Sequence, residues 1–121
     1  MCGRYMLHSD IEEILQHYGI IKVRGAYSWP AEVFPSHKVP IVVNSKERKL
    51  VPMKWGFPSP YGKRLIINSR GETVDSKPMF RRAFRQKRCI VPVNAFFEWG
   101  KADKEKIKYQ FRMKHSSLFS L

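Results

Sequence analysis

Apolar residues repeat at helical spacing in one early part of the chain. Four of them fall on a single face of a helix: Ile11, Ile14, Leu15 and Tyr18. Ser9, followed three residues later by Glu12, has the pattern of a capping box, and Gly19 provides a natural stop. The pattern predicts one short amphipathic helix between Ser9 and Gly19.

Most other apolar residues occur in short runs that are typical of strands. Residues 39–43 and 50–57 flank a polar Asn-Ser-Lys turn and predict a hairpin. Residues 65–67 predict a short buried strand that ends at Asn68. Residues 72–86 are helical in part, because they carry an apolar stripe opposite three arginines, Arg81, Arg82 and Arg85.

The last third of the chain is also rich in predicted strands. Residues 89–93 and 96–99 predict a strand pair that turns at Asn94 and Ala95. A polar loop at 101–106 predicts a second hairpin, with 109–113 and 118–121 as its flanking strands. A chain of this length forms one domain, residues 1–121, and these elements predict an α+β class dominated by antiparallel strands.

Residues 117–121 form an apolar run with no polar tail after it. A domain that ends in such a run has an unpaired strand edge. We therefore expect a domain that is incomplete at its C-terminus, or one whose sheet a second chain completes.

The charge of the chain indicates a polyanionic partner. There are 23 Lys and Arg against 10 Asp and Glu, and the net charge is +13. Nucleic acid is the simplest partner for such a charge, and a basic but inert surface is the alternative.

Cysteine usage and hydropathy point to the cytoplasm. Cys2 and Cys89 are too few for a disulfide framework, and Cys89 is expected as a buried thiol in a strand. No secretory signal or membrane-spanning run is visible. We expect a cytoplasmic protein that associates with the nucleoid when it is bound to DNA.

Cys2 is the first candidate for chemistry. Removal of Met1, which a small second residue permits, would leave a cysteine with a free α-amine beside its thiol. An α-amine has a pKa of roughly 7.7–8.0, so part of it is neutral and nucleophilic at pH 7. Such a pair captures aldehydes as a thiazolidine, whereas the alternative is an incidental cysteine near a loose terminus.

Glu98 and Asn68 are candidates to support that chemistry. Glu98 lies in a Phe-Phe-Glu-Trp run, where burial would favour its neutral form and let it both donate and accept protons. Asn68 ends a strand, where its amide could orient the amine. The alternatives are a surface glutamate paired with an arginine and an ordinary turn residue.

Arg70 and three aromatic residues are candidates for binding. Arg70 would lie on the same side of an extended chain as Asn68 and could bind a phosphate, or it could form a surface salt bridge. Trp55, Trp99 and Tyr61 could stack on unpaired bases, although the core is the expected place for both tryptophans. The four histidines show no metal-ligand spacing and no phosphate loop is present, so we expect no metal and no cofactor.

The motifs together resemble a known family. They are Met-Cys-Gly-Arg-Tyr at the start, Met-Lys-Trp-Gly-Phe at 53–57, Ile-Asn-Ser-Arg-Gly-Glu-Thr at 67–73, and Arg-Cys-Ile-Val-Pro-Val at 88–93 before Phe-Phe-Glu-Trp at 96–99. Their order and spacing resemble those of the SOS-response-associated peptidase (SRAP) family of abasic-site-processing proteins.

The resemblance implies a mostly antiparallel, barrel-like fold with a few helices and a basic cleft for single-stranded DNA. It implies that Met1 is removed and that Cys2 crosslinks to the aldehyde of an abasic site. It further implies that Asn68 orients the amine, that Glu98 shuttles protons, and that Arg4 and Arg70 contact DNA phosphates.

The chain also departs from the family pattern. Family members are longer, and the histidine motif of their second half is absent here. Three hypotheses therefore stand: covalent capture of abasic sites with an accompanying lyase step, a cysteine peptidase limited to removal of Met1, and a basic module that binds single-stranded DNA without catalysis.

Overall fold

A computed structural model describes residues 2–23, 25–102 and 105–121 of the chain. Two α-helices, one 3₁₀ turn and ten strands follow each other in the described part. They are β1 (Tyr5–Met6), α1 (Ile11–Tyr18), β2 (Glu32–Val33), β3 (Lys38–Asn44), β4 (Arg48–Lys54), β5 (Phe57–Pro58), β6 (Leu65–Ile66), the 3₁₀ turn Gly71–Thr73, α2 (Pro78–Gln86), β7 (Pro92–Val93), β8 (Ala95–Ala102), β9 (Glu105–Phe111) and β10 (Phe119–Ser120). The predicted α+β class, dominated by antiparallel strands, is confirmed.

Helix α1 forms where its apolar spacing predicts, but its cap lies one residue later. Asp10, not Ser9, accepts a hydrogen bond from the Glu13 amide, and the Glu13 carboxylate accepts one from the Asp10 amide. Ser9 is buried instead, in a contact with Asn94. The helix ends at Gly19 as predicted, in the left-handed conformation that glycine adopts without strain.

The central sheet has four antiparallel strands in the order β2-β1-β8-β9. Tyr5 lies opposite Val33 on one side and opposite Phe96 on the other. Strands β3 and β4 form the predicted hairpin, but β4 ends at Lys54, and Phe57 belongs to β5, which pairs with β6. The sheets remain separate in the described residues, so the barrel-like closure that the resemblance implies is not seen there.

The pairing predicted for the last third of the chain is wrong. Strands β7 and β8 do not pair, because Asn94 alone separates them and an antiparallel hairpin needs a loop of about two residues. Strand β8 pairs instead with β9, and β10 pairs with β7. The predicted hairpin loop falls partly on residues 103 and 104, which lie outside the described residues.

The core lies between α1, the central sheet and the β3–β4 hairpin. Leu7, Ile14, Leu50, Val33 and Val93 are almost fully buried. Neither described helix is long and apolar enough to cross a membrane. Strand β10 is paired along one edge, and the expectation that the domain is incomplete stays a prediction.

Candidate functional site

Cys2 lies three residues before β1 and is half-buried against the core. Its thiol donates a hydrogen bond to the carbonyl of Arg4, with the sulfur 3.2 Å from the oxygen. Strand β1 is held on both sides by β2 and β8, so the backbone that follows Cys2 is fixed. Met1 lies outside the described residues, and its removal stays a prediction.

Asn68 is brought directly onto Cys2. Its side-chain Nδ2 donates to the Cys2 carbonyl at 3.0 Å, across 66 positions of sequence. Trp55 secures the segment before Asn68 by donating its indole N–H to the Ile67 carbonyl at 3.3 Å. The amide therefore holds the backbone of the candidate nucleophile.

Cys2 and Asn68 line one cleft of about 780 Å³. Its walls are mainly apolar and come from the β3–β4 hairpin, the end of α2 and the end of the chain. Polar and basic side chains also line the cleft, including Asn44, Ser45, Lys54, Gln86, Lys87 and Arg88. The cleft can therefore hold a ligand that is apolar in part and anionic in part.

Tyr5 also lines this cleft and was not singled out from the sequence. It is 3% exposed, and its hydroxyl has no hydrogen-bond partner among the described residues. Burial, with the nearby charge of Cys2, holds the pKa of the Tyr5 hydroxyl well above its usual range. Tyr5 ends the Met-Cys-Gly-Arg-Tyr motif, and that motif is the sequence signal that could have identified it. By its residue type alone, a tyrosine in a strand is most simply a core residue.

Glu98 lies on β8, half-buried and opposite Tyr109. Side chains alternate along a strand, so Glu98 shares a sheet face with Phe96 and, across the β1–β8 pairing, with Tyr5. Glu98 therefore lies on the same sheet face as Tyr5, which lines the cleft, but Glu98 does not line the cleft itself.

Arg4 is engaged within the protein. Its Nη1 lies 3.2 Å from Glu32 Oε1, and its guanidinium stacks over the rings of Phe34 and Trp99 at 4.2 and 5.2 Å. Lys108 reaches the same oxygen at 2.8 Å, and this hydrogen bond is the main cause of the lowered pKa of Glu32. The geometry suits a clamp on β1 better than the predicted phosphate contact.

Arg70 is exposed and forms no ion pair with any described residue. It lines a second cavity of about 730 Å³, together with Tyr61, Lys77 and Asn68. Asn68 thus belongs to both cavities. Arg70 and Lys77 give the second cavity the cations that a phosphate needs.

The remaining candidates divide between core and surface. Trp55 is partly buried against the core, whereas Trp99 is 41% exposed, so the core prediction is wrong for Trp99. Cys89 is exposed in the loop after α2, not buried in a strand, because the strand begins only at Pro92. Within the described ranges, no group of three His, Cys, Asp or Glu side chains could hold a metal ion.

Comparison with known proteins identifies similar chains. A family model described as SOS response associated peptidase (SRAP) matches residues 1–121. The abasic site processing protein YoaM of Bacillus subtilis is 35% identical over 129 residues, which cover 99% of this chain and 57% of YoaM. The chain therefore spans a little more than half the length of this relative.

Two solved structures share the fold. A protein from Bacteroides thetaiotaomicron has a TM-score of 0.78 and 24% identity, over 98% of this chain and 57% of its own. A protein from Bordetella bronchiseptica has a TM-score of 0.80 and 20% identity, over 98% of this chain and 61% of its own. Nearly all of the present chain therefore adopts a known fold.

Proposed function

The chain belongs to the SRAP family, and we propose that it captures abasic sites in single-stranded DNA through a covalent bond at Cys2. The observation that carries the proposal is the 3.0 Å hydrogen bond from Asn68 to Cys2 in a cleft with a basic rim. Similarity to YoaM, an abasic site processing protein, supports the substrate class.

The reaction uses both nucleophiles of an N-terminal cysteine. After Met1 is removed, the α-amine adds to the aldehyde of the ring-opened sugar and gives a carbinolamine. Loss of one water gives an imine, and the Cys2 thiol adds to the imine carbon while its proton passes to the nitrogen. The product is a thiazolidine, and one water is the only molecule released.

Four side chains support this reaction in the proposal. Asn68 holds the Cys2 backbone so that the amine and thiol point into the cleft. Glu98 moves protons during ring opening, dehydration and ring closure. Arg70 binds a phosphate of the strand, and Arg4 acts as a clamp on β1 in addition to the phosphate contact that the family resemblance implies.

The proposal predicts an SDS-stable adduct between the protein and abasic single-stranded DNA. Cys2→Ala should abolish the adduct, because the amine alone forms only a hydrolysable imine. Cys89→Ala is the matched control, since it removes the other thiol that lines the cleft and should leave the adduct intact. Equal adduct formation by Cys2→Ala would contradict the mechanism.

The intact masses of the protein and of the DNA in the same samples test two accompanying steps. Purified protein should lack Met1, and the peptidase activity is proposed to extend only to this removal. A lyase step would appear as DNA cleaved at the abasic site, because an imine can undergo β-elimination before the thiol closes the ring.

Binding without catalysis is the second candidate, and the net charge of +13 favours it. Such a module would bind intact and abasic strands equally, and its affinity would fall steeply with salt. Competition between intact and abasic oligonucleotides of one sequence separates the two functions, because only capture gives a preference for the abasic strand.

A further inference from the structure

We propose that Tyr5 is a further catalytic residue of this site, whose hydroxyl donates a hydrogen bond to the oxygen of the aldehyde that Cys2 captures. This inference rests on the proposed function of Cys2. It assigns a role to a residue that stands in the first sequence motif but has no part in the proposed mechanism.

The first support is the unsatisfied state of the hydroxyl. Tyr5 is 3% exposed, yet its oxygen has no hydrogen-bond partner among the described residues. Buried polar groups are nearly always hydrogen-bonded, since an unpaired one costs about 1–3 kcal/mol. By contrast, the other core tyrosine, Tyr18, donates to the Phe119 carbonyl at 3.0 Å. The cost at Tyr5 is explained if a ligand supplies the missing partner.

The second support is the position of the ring. Tyr5 lines the same cleft as Cys2 and Asn68, and it packs against Trp55 with ring centroids 5.4 Å apart. Pairing of β1 with both β2 and β8 fixes the backbone of Tyr5. Tyr5 therefore lines the cleft three residues from the nucleophile, although its hydroxyl oxygen is buried in the structure without a ligand.

The third support is the protonation state of the hydroxyl. Burial holds the pKa of Tyr5 far above neutrality, so the phenol keeps its proton and remains a donor. A donor to the aldehyde oxygen polarises the carbonyl, and it stabilises the charge that develops there as the amine attacks. The tyrosine ends the reaction with its own proton, and the atom balance of thiazolidine formation is unchanged.

Tyr5→Phe tests this role because it removes one oxygen and keeps the ring. We expect the capture rate at saturating abasic DNA to fall about tenfold or more, the loss of one hydrogen bond of about 1.4 kcal/mol. The Kd for intact single-stranded DNA should not change. The melting temperature should stay the same or rise, because the variant removes an unsatisfied buried hydroxyl.

Tyr18→Phe is the matched control. It removes a hydroxyl that is bonded to Phe119 and Ser120 at the other end of the core, so it should lower the melting temperature and leave the capture rate unchanged. Equal capture by Tyr5→Phe and wild type would overturn the role of Tyr5. A fall in both the capture rate and the melting temperature of Tyr5→Phe would also overturn it in favour of a structural role.

A small aldehyde separates this inference from the proposed function. Propanal needs no DNA cleft, and its capture is read as a mass increase of one aldehyde less one water. If wild type captures propanal but not abasic DNA, the proposed function fails, and a slower reaction of Tyr5→Phe with propanal still supports the donor role. If wild type captures neither, both proposals are overturned.

Discussion

At the scale of the single residue, Asn94 connects the start of the chain to its end. Its buried side chain accepts from the amides of His8 and Ser9 at 2.7 and 3.1 Å. It donates to the Ser9 hydroxyl and to the Ser117 carbonyl at 2.9 and 2.6 Å. One amide thus fixes the loop between β1 and α1 against the segment that leads into β10.

Asn94→Ala should strongly destabilise the fold. The change leaves buried backbone donors and one carbonyl without partners, so we expect the free energy of unfolding to fall by about 3 kcal/mol. Urea denaturation followed by circular dichroism measures it. Asn44→Ala, at the exposed end of β3, is the control and should change the value by less than about 0.5 kcal/mol. Equal losses in the two variants would contradict the role of Asn94.

At the scale of the elements, one carboxylate joins three strands of the central sheet. Glu32 of β2 binds Arg4, which precedes β1, and Lys108 of β9 through the same oxygen. The hydrogen bond from Lys108 is the largest cause of the lowered pKa of Glu32. This arrangement clamps the start of β1, the strand that follows Cys2.

The lowered pKa of Glu32 predicts an acid-dependent loss of stability. A carboxyl with a depressed folded-state pKa stabilises the fold above its unfolded pKa of about 4.3, and it loses this effect as the pH falls through the folded value. The melting temperature of wild type should therefore fall from pH 6 to pH 3, and Glu32→Gln should lose less over that range. Glu47→Gln is the control, because Glu47 meets Lys22 and Lys49 only at 3.7 and 3.6 Å. An acid response of Glu32→Gln as steep as that of wild type would exclude the clamp.

At the scale of the whole molecule, helix α2 lies beside the site and carries three arginines. The helix contributes Gln86 to the Cys2 cleft and Met79 and Phe80 to the neighbouring cavity with Arg70. Its opposite face carries three exposed arginines that form no ion pair with the described residues, Arg81, Arg82 and Arg85. Because no described residue forms an ion pair with them, these three cations can contact the phosphates of a bound strand.

Binding of a single-stranded oligonucleotide should therefore depend on the arginines of α2. Changing all three to glutamine should reduce the slope of log K against log salt by about 2, because each phosphate contact contributes about 0.7. Fluorescence anisotropy with a 20-nucleotide thymidine strand measures the slope. The control removes the same charge elsewhere by changing three exposed lysines to glutamine, Lys101, Lys106 and Lys114. The same change of slope in both variants would mean that only net charge matters.

Local pattern predicted the elements more accurately than their partners. Helix α1, its glycine stop and the β3–β4 hairpin depend on residues near in sequence, and all three are confirmed. The cap predicted at Ser9 is wrong, because Ser9 bonds to Asn94, 85 positions away, and Asp10 caps the helix instead. The strand pairs of the last third were wrong for a similar reason, since β10 finds its partner β7 across more than 20 residues.

The sequence alone determined the family and the α+β class, and it singled out Cys2 and Asn68, which meet at the cleft. It could do so because each of the motifs that indicate them is a short continuous stretch of the chain. It could not determine that Arg4 is held by Glu32, that Cys89 is exposed or that the Tyr5 hydroxyl lacks a partner. Those properties depend on burial and on contacts between distant segments. Only the tertiary structure sets them, because the free energy of a polar group is decided by what surrounds it after the chain has folded.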